Sequence, residues 1–352
     1  MNPIFIGNRR VGNGAETYIA LEIGATHTGI ESALKLLKAT VAAKADALKV
    51  QILDHDRLMG RDVDFAWGTK AELGGDPRKE SLHAILGRRW MPAEDWIALG
   101  NACAEAGVDL IATIDFPSTL AIALKAGAAS LKLCSGDVNN LAWIGEVARA
   151  GLPIMLDTGL ATLGEIEQAV EAAYAVGNDR VVVHHCPSGY PAGPDGVNLR
   201  VLTTLQQMFG DDIVVAFSDH SPGHDMDVAA VALGASMVEK TLTLRRGQHG
   251  PEHEYSLEPD EATAFVTAMR ATQAALGRPR RIVGEAERRG KYVARRSAFL
   301  ARDLRIGQVI TETAIEWRRP GDGFAPAEVA YLVGRVVRHD LPAGHQLEWR
   351  DI

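Results

Sequence analysis

Two lysines lie in the middle of apolar segments, in Leu48-Lys49-Val50 and in Leu131-Lys132-Leu133. Burying a lysine costs free energy unless an anion pairs with it. A phosphate or carboxylate group of a substrate would provide that pairing. The alternative is a structural ion pair, for instance with Glu22 or Glu239. Because two such lysines occur, each followed by polar residues, we favour an anion-binding site.

The segment Ser218-Asp219-His220 directly follows an apolar run and ends before Pro222-Gly223. Its imidazole could ligate a metal ion, with Asp219 nearby to orient the ring or to act as a base. A loop histidine that only forms hydrogen bonds is an equal alternative. Glu22 also ends an apolar run, where it could exchange protons, bind sugar hydroxyl groups or pair with a strand lysine. We predict Glu22, Asp219 and His220 as catalytic residues and His220 as a metal ligand.

These residues belong to eight short apolar runs, nearly all of which end in reactive or polar groups. The runs are Tyr18–Gly24, Ala47–Gln51, Asp109–Thr113, Ser130–Ser135, Pro153–Asp157, Val181–His185, Ile213–Asp219 and Ser236–Lys240. Alanine-rich stretches with helical spacing lie between most of them. Such alternation predicts an α/β fold, a (β/α)8 TIM barrel, whose active site forms at the C-terminal strand ends. His184 and His185 are neighbours in one strand and face opposite ways, so they cannot share an ion.

Composition excludes several functional classes. The net charge of −8 argues against a general nucleic-acid surface, although local lysines can still bind an anionic substrate. No run approaches the ~20 apolar residues that span a bilayer, and the N-terminus lacks a signal-peptide pattern. The three widely spaced cysteines do not suggest a disulfide framework. We expect a cytoplasmic enzyme with no nucleic-acid or membrane partner.

The pattern along the chain predicts a barrel over residues 15–277, a charged linker over 278–292 and a small β domain over 293–352. In that β domain, residues 302–310 resemble residues 339–347, and each copy predicts a strand, a glycine turn and a strand. Within the barrel, residues 52–91 form a long insertion. We interpret it as a lid above the barrel mouth, with a disordered surface loop as the alternative.

A series of motifs runs in unbroken order from residue 17 onward. They include Glu22-Ile23-Gly24-Ala25-Thr26-His27, Lys49-Val50-Gln51, Lys132-Leu133-Cys134-Ser135-Gly136-Asp137, His185-Cys186-Pro187-Ser188-Gly189-Tyr190-Pro191, Phe217-Ser218-Asp219-His220 and Gly250-Pro251-Glu252-His253. Together they resemble the sialic acid synthase family. The C-terminal segment resembles that family's antifreeze-protein-like (SAF, β-clip) domain, with Arg318-Arg319-Pro320-Gly321-Asp322-Gly323 as its signature.

The resemblance implies a condensation of phosphoenolpyruvate with the open-chain aldehyde of an N-acetylated amino sugar. The product is a nine-carbon 2-keto acid, and phosphate leaves by carbon–oxygen cleavage. A divalent metal, Mn²⁺ or Mg²⁺, would polarise the aldehyde and activate water. A domain-swapped homodimer is also implied, in which Arg319 of one subunit contacts the acyl group of the sugar in the partner's barrel.

The resemblance further assigns the substrate-binding residues. Phosphoenolpyruvate would be held by Lys49, Thr113, Lys132, Ser135, Ser188, Tyr190 and Ser218. Glu22 and Gln51 would face the sugar and the reacting carbons.

Four positions depart from the family pattern. The second histidine ligand of the metal is absent from Glu239-Lys240-Thr241, and a threonine hydroxyl is a poor substitute for imidazole. Asp157 replaces a serine, Ser188 an asparagine and Asp137 a glutamate. Asp157 repels phosphate unless it is protonated or ligates the metal.

Several functional alternatives therefore stay open. Asp157 and His220 could share the metal in a site rearranged for a different acceptor, or the metal step could be lost. The others are a lysine Schiff-base aldolase acting on pyruvate and a non-catalytic sugar-binding homologue.

Overall fold

The computed structural model describes residues 4–12, 14–67 and 77–352. The chain divides into two compact units, Met1–Gly277 and Arg278–Ile352. No helix in the described residues has the length and apolar character that crossing a membrane requires.

The strands are numbered in chain order. They are β1 (Ile4–Ile6), β2 (Arg9–Val11), β3 (Tyr18–Glu22), β4 (Ala47–Ile52), β5 (Asp64–Trp67), β6 (Arg78–Ser81), β7 (Asp109–Ile114), β8 (Ser130–Leu133), β9 (Ile154–Asp157), β10 (Val181–His185), β11 (Val214–Asp219), β12 (Met237–Thr241), β13 (Ser297–Leu300) and β14 (Ile315–Arg318).

The helices are numbered in the same way. They are α1 (Ile30–Ala43), α2 (His55–Leu58), α3 (Leu82–Gly87), α4 (Ala93–Ala106), α5 (Pro117–Lys125), α6 (Leu141–Ala148), α7 (Leu163–Tyr174), α8 (Pro194–Val197), α9 (Arg200–Phe209), α10 (Asp225–Ala232), α11 (Pro259–Leu276) and α12 (Glu285–Ala294).

Strands β3, β4 and β7 to β12 form a closed parallel barrel, which confirms the predicted fold. All of these strands are buried on both faces, as their apolar composition requires. Their outward side chains pack against the helices in one large apolar core. Helix α7 begins after Thr162, whose side chain accepts from the backbone amide of Glu165 in a capping box.

The interior of the barrel changes character along its axis. At the N-terminal ends of the strands it is apolar, and the hairpin β1–β2 closes it with Ile4, Ile6 and Val11. At the C-terminal ends the inward residues are polar, among them Lys132 and Glu239. The barrel is therefore a packed core at one end and a charged site at the other.

The second unit is a small β domain with its own core, including Leu300, Leu304 and Phe324. Strands β13 and β14 pair antiparallel. The strands predicted for the internal repeat are reduced to isolated bridges such as Leu304↔Leu341, although the glycine turns form with positive φ at Gly307 and Gly344. The segment predicted as a linker contains helix α12, which the weak periodicity of its sequence did not indicate.

The insertion after β4 contains α2, the antiparallel hairpin β5–β6 and α3. The prediction of a lid over residues 52–91 falls partly on residues 68–76, which lie outside the described residues. The described part of the insertion forms regular secondary structure. Within it, Ser81 caps α3, and the helix buries Ile85 and Leu86.

Candidate active site

A cavity of about 310 Å³ opens at the C-terminal ends of the barrel strands. Most of the predicted site residues line it, namely Glu22, Lys49, Gln51, Thr113, Ser135, Asp157, Ser188, Tyr190 and His220. A larger cavity of about 820 Å³ lies at the opposite end, against the apolar residues Ile4, Val11 and Val214. Volume therefore does not locate the chemistry, whereas the polar strand ends do.

Lys132 lies at the centre of a buried ion-pair network. Its Nζ is 2.7 Å from Glu239 Oε2 and 3.0 Å from Asp157 Oδ1, and its side chain is fully buried. Lys49 pairs closely with Glu22 and lies 3.3 Å from Glu239 Oε1. In this structure both lysines therefore pair with carboxylates of the protein, which is the ion-pair alternative considered from the sequence.

Both lysines are held in the charged state. Burial alone lowers the pKa of Lys49, but the carboxylates of Glu22 and Glu239 outweigh burial and raise it. The same balance raises the pKa of Lys132, through Asp157 and Glu239. A Schiff base requires a neutral amine, so this charge state argues against the lysine aldolase alternative.

The three carboxylates of the network differ from one another. Burial raises the pKa of Glu22 to about 8, despite the opposing effect of Lys49. Burial also raises the pKa of Asp157, against the pull of Lys132. For Glu239 the two lysines outweigh burial and hold its pKa well below the usual range. Glu239 is therefore the counter-ion that stays charged, whereas a pKa of about 8 lets Glu22 exchange a proton near neutral pH.

Hydroxyl groups surround the network. Thr113 Oγ1 is buried and has no hydrogen-bond partner among the described residues. Ser135 Oγ accepts a hydrogen bond from the backbone amide of Gly159 at 3.0 Å. Ser188 Oγ donates to the carbonyl of Gly159 at 2.8 Å. A side chain at position 159 would collide with Cys186 and both serines, which explains the glycine.

His220 follows the end of β11 and lines the cavity, with its ring centroid 4.7 Å from that of Tyr190. Its Nδ1 is buried without a hydrogen-bond partner among the described residues. Glu252 lines the same cavity. An imidazole nitrogen is therefore available to a divalent cation here, although no group of three or more ligand atoms that includes His220 converges among the described residues.

Asp219 does not reach the cavity, and its predicted catalytic role is wrong on geometric grounds. Adjacent strand residues face opposite ways, so Ser218 points into the barrel and Asp219 points out to the helices. Ser218 Oγ donates to Glu239 Oε1 at 3.1 Å. Asp219 instead pairs closely with Lys240, which also lies 3.6 Å from Asp227 on α10.

Arg319 lies in the second unit, where its Nε donates to the carbonyl of Ala294 at 3.1 Å. Two acidic residues of the cavity lie outside the predicted set of site residues. In the sequence, Glu239 is a possible ion-pair partner for a lysine, and Glu252 belongs to the motif Gly250-Pro251-Glu252-His253. The signal for Glu239 was its place at a strand end, whereas Glu252 lies in a loop beyond β12 and had no positional signal.

The chain matches two known protein families. Residues 36–281 match the NeuB family, and residues 295–352 match the SAF domain. The first match covers more than half of the chain. The chain belongs to the NeuB family. The predicted family and SAF domain are thereby confirmed, as is the prediction of a sugar-acid synthase enzyme.

Individual members of the NeuB family resemble the chain over its full length. The N,N'-diacetyllegionaminic acid synthase of Legionella pneumophila is 30% identical over 346 residues, or 97% of this chain and 96% of the relative. The crystal structure of the spore coat polysaccharide biosynthesis protein SpsE of Bacillus subtilis matches with a TM-score of 0.67 at 28% identity, covering 99% of both chains. That of the N-acetylneuraminic acid synthetase of Leptospira borgpetersenii, in complex with citrate, has a TM-score of 0.72 at 26% identity, covering 82% of this chain and 95% of the other.

Two departures from the family pattern occupy defined positions. Thr241 is buried beside Glu22 in the register of β12 and β3, on the same face of β12 as Glu239. Asp157 contacts Lys132 directly. Both departures therefore lie at the site itself.

Proposed function

We propose that this enzyme condenses phosphoenolpyruvate with the aldehyde of an N-acetylated amino sugar to give a nonulosonic 2-keto acid and phosphate. The observation that carries the proposal is a pair of charged lysines, of which Lys49 lines the cavity and Lys132 is buried against the cavity residues Asp157 and Glu239. Their positive charges are suited to a small substrate that bears both a phosphate and a carboxylate. The hydroxyls of Thr113, Ser135 and Ser188 line the same cavity, and that of Thr113, which has no hydrogen-bond partner among the described residues, can donate to the oxygens of such a substrate.

The reaction needs one proton delivered and one removed. The methylene carbon of phosphoenolpyruvate bonds to the aldehyde carbon, and the aldehyde oxygen takes a proton. Water adds to the second carbon and gives up one proton, and the carbon–oxygen bond to phosphate then breaks while the remaining hydroxyl proton passes to the phosphate, which leaves the keto group. Protonated Glu22 is suited to give the first proton and, once ionised, to take one from water.

The residues present fit a divalent cation in part. His220 would hold it through its free ring nitrogen, and Glu252 offers carboxylate oxygens in the same cavity. Such a donor set of one nitrogen and several oxygens suits Mn²⁺ or Mg²⁺. When bound, the ion would polarise the aldehyde oxygen. Thr241 adds no strong ligand, so we expect weaker binding than two imidazoles would give.

The direct test is phosphate release from phosphoenolpyruvate in the presence of Mn²⁺ and a panel of sugars with one or two acetamido groups. We expect release only with an acceptor, together with a 2-keto acid product detected by mass spectrometry. A folded protein that releases no phosphate with any acceptor would refute the proposal.

Asp157 is expected to weaken the binding of phosphoenolpyruvate. Replacing it in Asp157→Ser removes a negative charge beside Lys132, and we expect the KM for phosphoenolpyruvate to fall about tenfold. Since burial raises the pKa of Asp157, the wild-type KM should also fall as the pH is lowered and Asp157 becomes neutral. Steady-state kinetics across pH would measure both effects.

The charge-retaining variant Asp157→Glu provides the control. It should keep both the high KM and its pH dependence. An Asp157→Ser variant with an unchanged or higher KM would contradict this account.

We also propose a domain-swapped homodimer in which Arg319 of one subunit serves the partner's barrel. Mixing inactive Arg319→Ala with inactive Glu22→Gln should then restore activity after subunit exchange, because each heterodimer contains one intact site. Random exchange predicts about a quarter of the wild-type activity. Activity that stays at the level of the separate variants, with exchange verified by mass spectrometry, would contradict the arrangement.

A further inference from the structure

Three potential metal ligands converge in the insertion, apart from the residues that line the cavity. His55 and Asp56 begin α2, and His83 lies on α3. The Nε2 atom of His83 is 3.1 Å from Asp56 Oδ1, and the Nε2 atom of His55 is 3.5 Å from the same oxygen. The two ring centroids are 5.1 Å apart. Two imidazoles thus present the same type of nitrogen to one carboxylate oxygen.

These distances match the spacing of ligands around a tetrahedral metal ion. Zinc binds imidazole nitrogen and carboxylate oxygen at about 2.0–2.1 Å, which places neighbouring ligands about 3.3–3.4 Å apart. The two nitrogen–oxygen distances lie on either side of that value. The contact of His83 is also a hydrogen bond, whereas that of His55, at 3.5 Å, is at the limit for one.

Both histidines are held in place by neighbouring groups. The Asp62 carboxylate accepts hydrogen bonds from the backbone amide of His83 at 3.1 Å and from the Ser81 hydroxyl. The His55 ring lies over Gly87, where an added Cβ would be 3.4 Å from the ring. Such outer contacts orient ligands before a metal arrives.

We propose that His55, Asp56 and His83 bind a zinc ion that joins α2 to α3. Two nitrogens and one carboxylate oxygen suit a late divalent metal such as zinc, and the exposed side of Asp56 leaves the remaining position to water. Among the described residues from α2 to α3, the buried apolar side chains are Trp67, Ile85 and Leu86. A small unit of this kind gains most from a metal cross-link.

The zinc would also act on the cavity through α3. Arg89 follows that helix, is buried, and lies 3.8 Å from Glu252, which lines the cavity. Fixing α3 therefore fixes the cation that faces Glu252. This consequence rests on the proposed function, whereas zinc binding itself does not.

The test is a competition titration of metal-free full-length protein with zinc and a chromophoric chelator. We expect zinc at this site to bind ~10–100-fold more weakly in His55→Ala/His83→Ala. The variant His339→Ala should bind as the wild type does, because it changes a half-exposed histidine of the second unit, whereas His220→Ala should change only zinc that binds in the cavity. Asp56→Asn removes only charge from an exposed residue, and we expect it to weaken binding ~10-fold while the protein remains folded.

Cobalt provides a second readout, because tetrahedral coordination gives strong visible absorption bands that the double variant should lack. Equal zinc affinity in the wild type and in Asp56→Asn and the double variant would overturn the proposal, as would loss of zinc in His220→Ala alone. If synthase activity is absent but zinc binding follows these variants, only the proposed function fails. If activity is present, zinc removal should raise the KM for the acceptor and leave that for phosphoenolpyruvate unchanged.

Discussion

Lys132→Met is expected to abolish most of the activity and to destabilise the fold. The substitution leaves Asp157 and Glu239 buried without their shared cation. Removing one partner of a buried ion pair costs about 3–5 kcal/mol of unfolding free energy. Losing a charge that binds the substrate anion should lower kcat/KM on the order of 10²–10³-fold. Chemical denaturation and steady-state kinetics would measure the two effects separately.

Lys240→Met is the matched control, since Lys240 is equally buried and also pairs with two carboxylates, those of Asp219 and Asp227. Its charge lies among the helices and not in the cavity. We expect a comparable loss of stability with kcat/KM of the folded fraction close to wild type. In Lys132→Met/Asp157→Ser, the second change should recover part of the stability and none of the activity. Equal activity losses in the two lysine variants would contradict the assignment of Lys132 to substrate binding.

Strand ends and alternation account for most of what the sequence predicted correctly. Apolar runs that end in polar groups indicated the barrel. A parallel strand in a barrel is buried on both faces, and the functional residues follow at its C-terminal end. Alternation also separated His184, which is buried beside the ion-pair network, from His185, whose ring contacts Phe217 and the Val197 carbonyl. The same rule applied to Ser218 would have excluded Asp219.

Other features depend on contacts that no local pattern reports. Glu252 reaches the cavity because the loop after β12 folds back over the barrel. The ion pairs of Lys49 and Lys132 follow from the barrel closing on itself, which brings β12 beside β3. Sequence could name their partners only as possibilities. The pKa of Glu22 likewise depends on burial among these groups, and a linear pattern contains no measure of that.

Glu22→Gln tests that pKa directly. If protonated Glu22 delivers the proton, the variant should lose kcat by about 10²–10⁴-fold. The wild-type kcat should fall as the pH rises through about 8, where Glu22 ionises, and the variant should lack this limb. The KM for phosphoenolpyruvate should not rise, since the amide no longer competes for the charge of Lys49.

Glu252→Gln separates the loss of the Glu22 proton donor from a general loss of negative charge in the cavity. Glu252 lies against Arg89, and its charge is the smallest of the effects that set the pKa of Glu22, so its variant should change the KM for the acceptor and retain the limb, shifted slightly to lower pH. A Glu22→Gln enzyme with near-normal kcat, or one that keeps that limb, would show that another group moves the proton. In that case the high pKa of Glu22 would serve only to moderate repulsion between the network and the substrate anion, because a protonated carboxyl adds no negative charge.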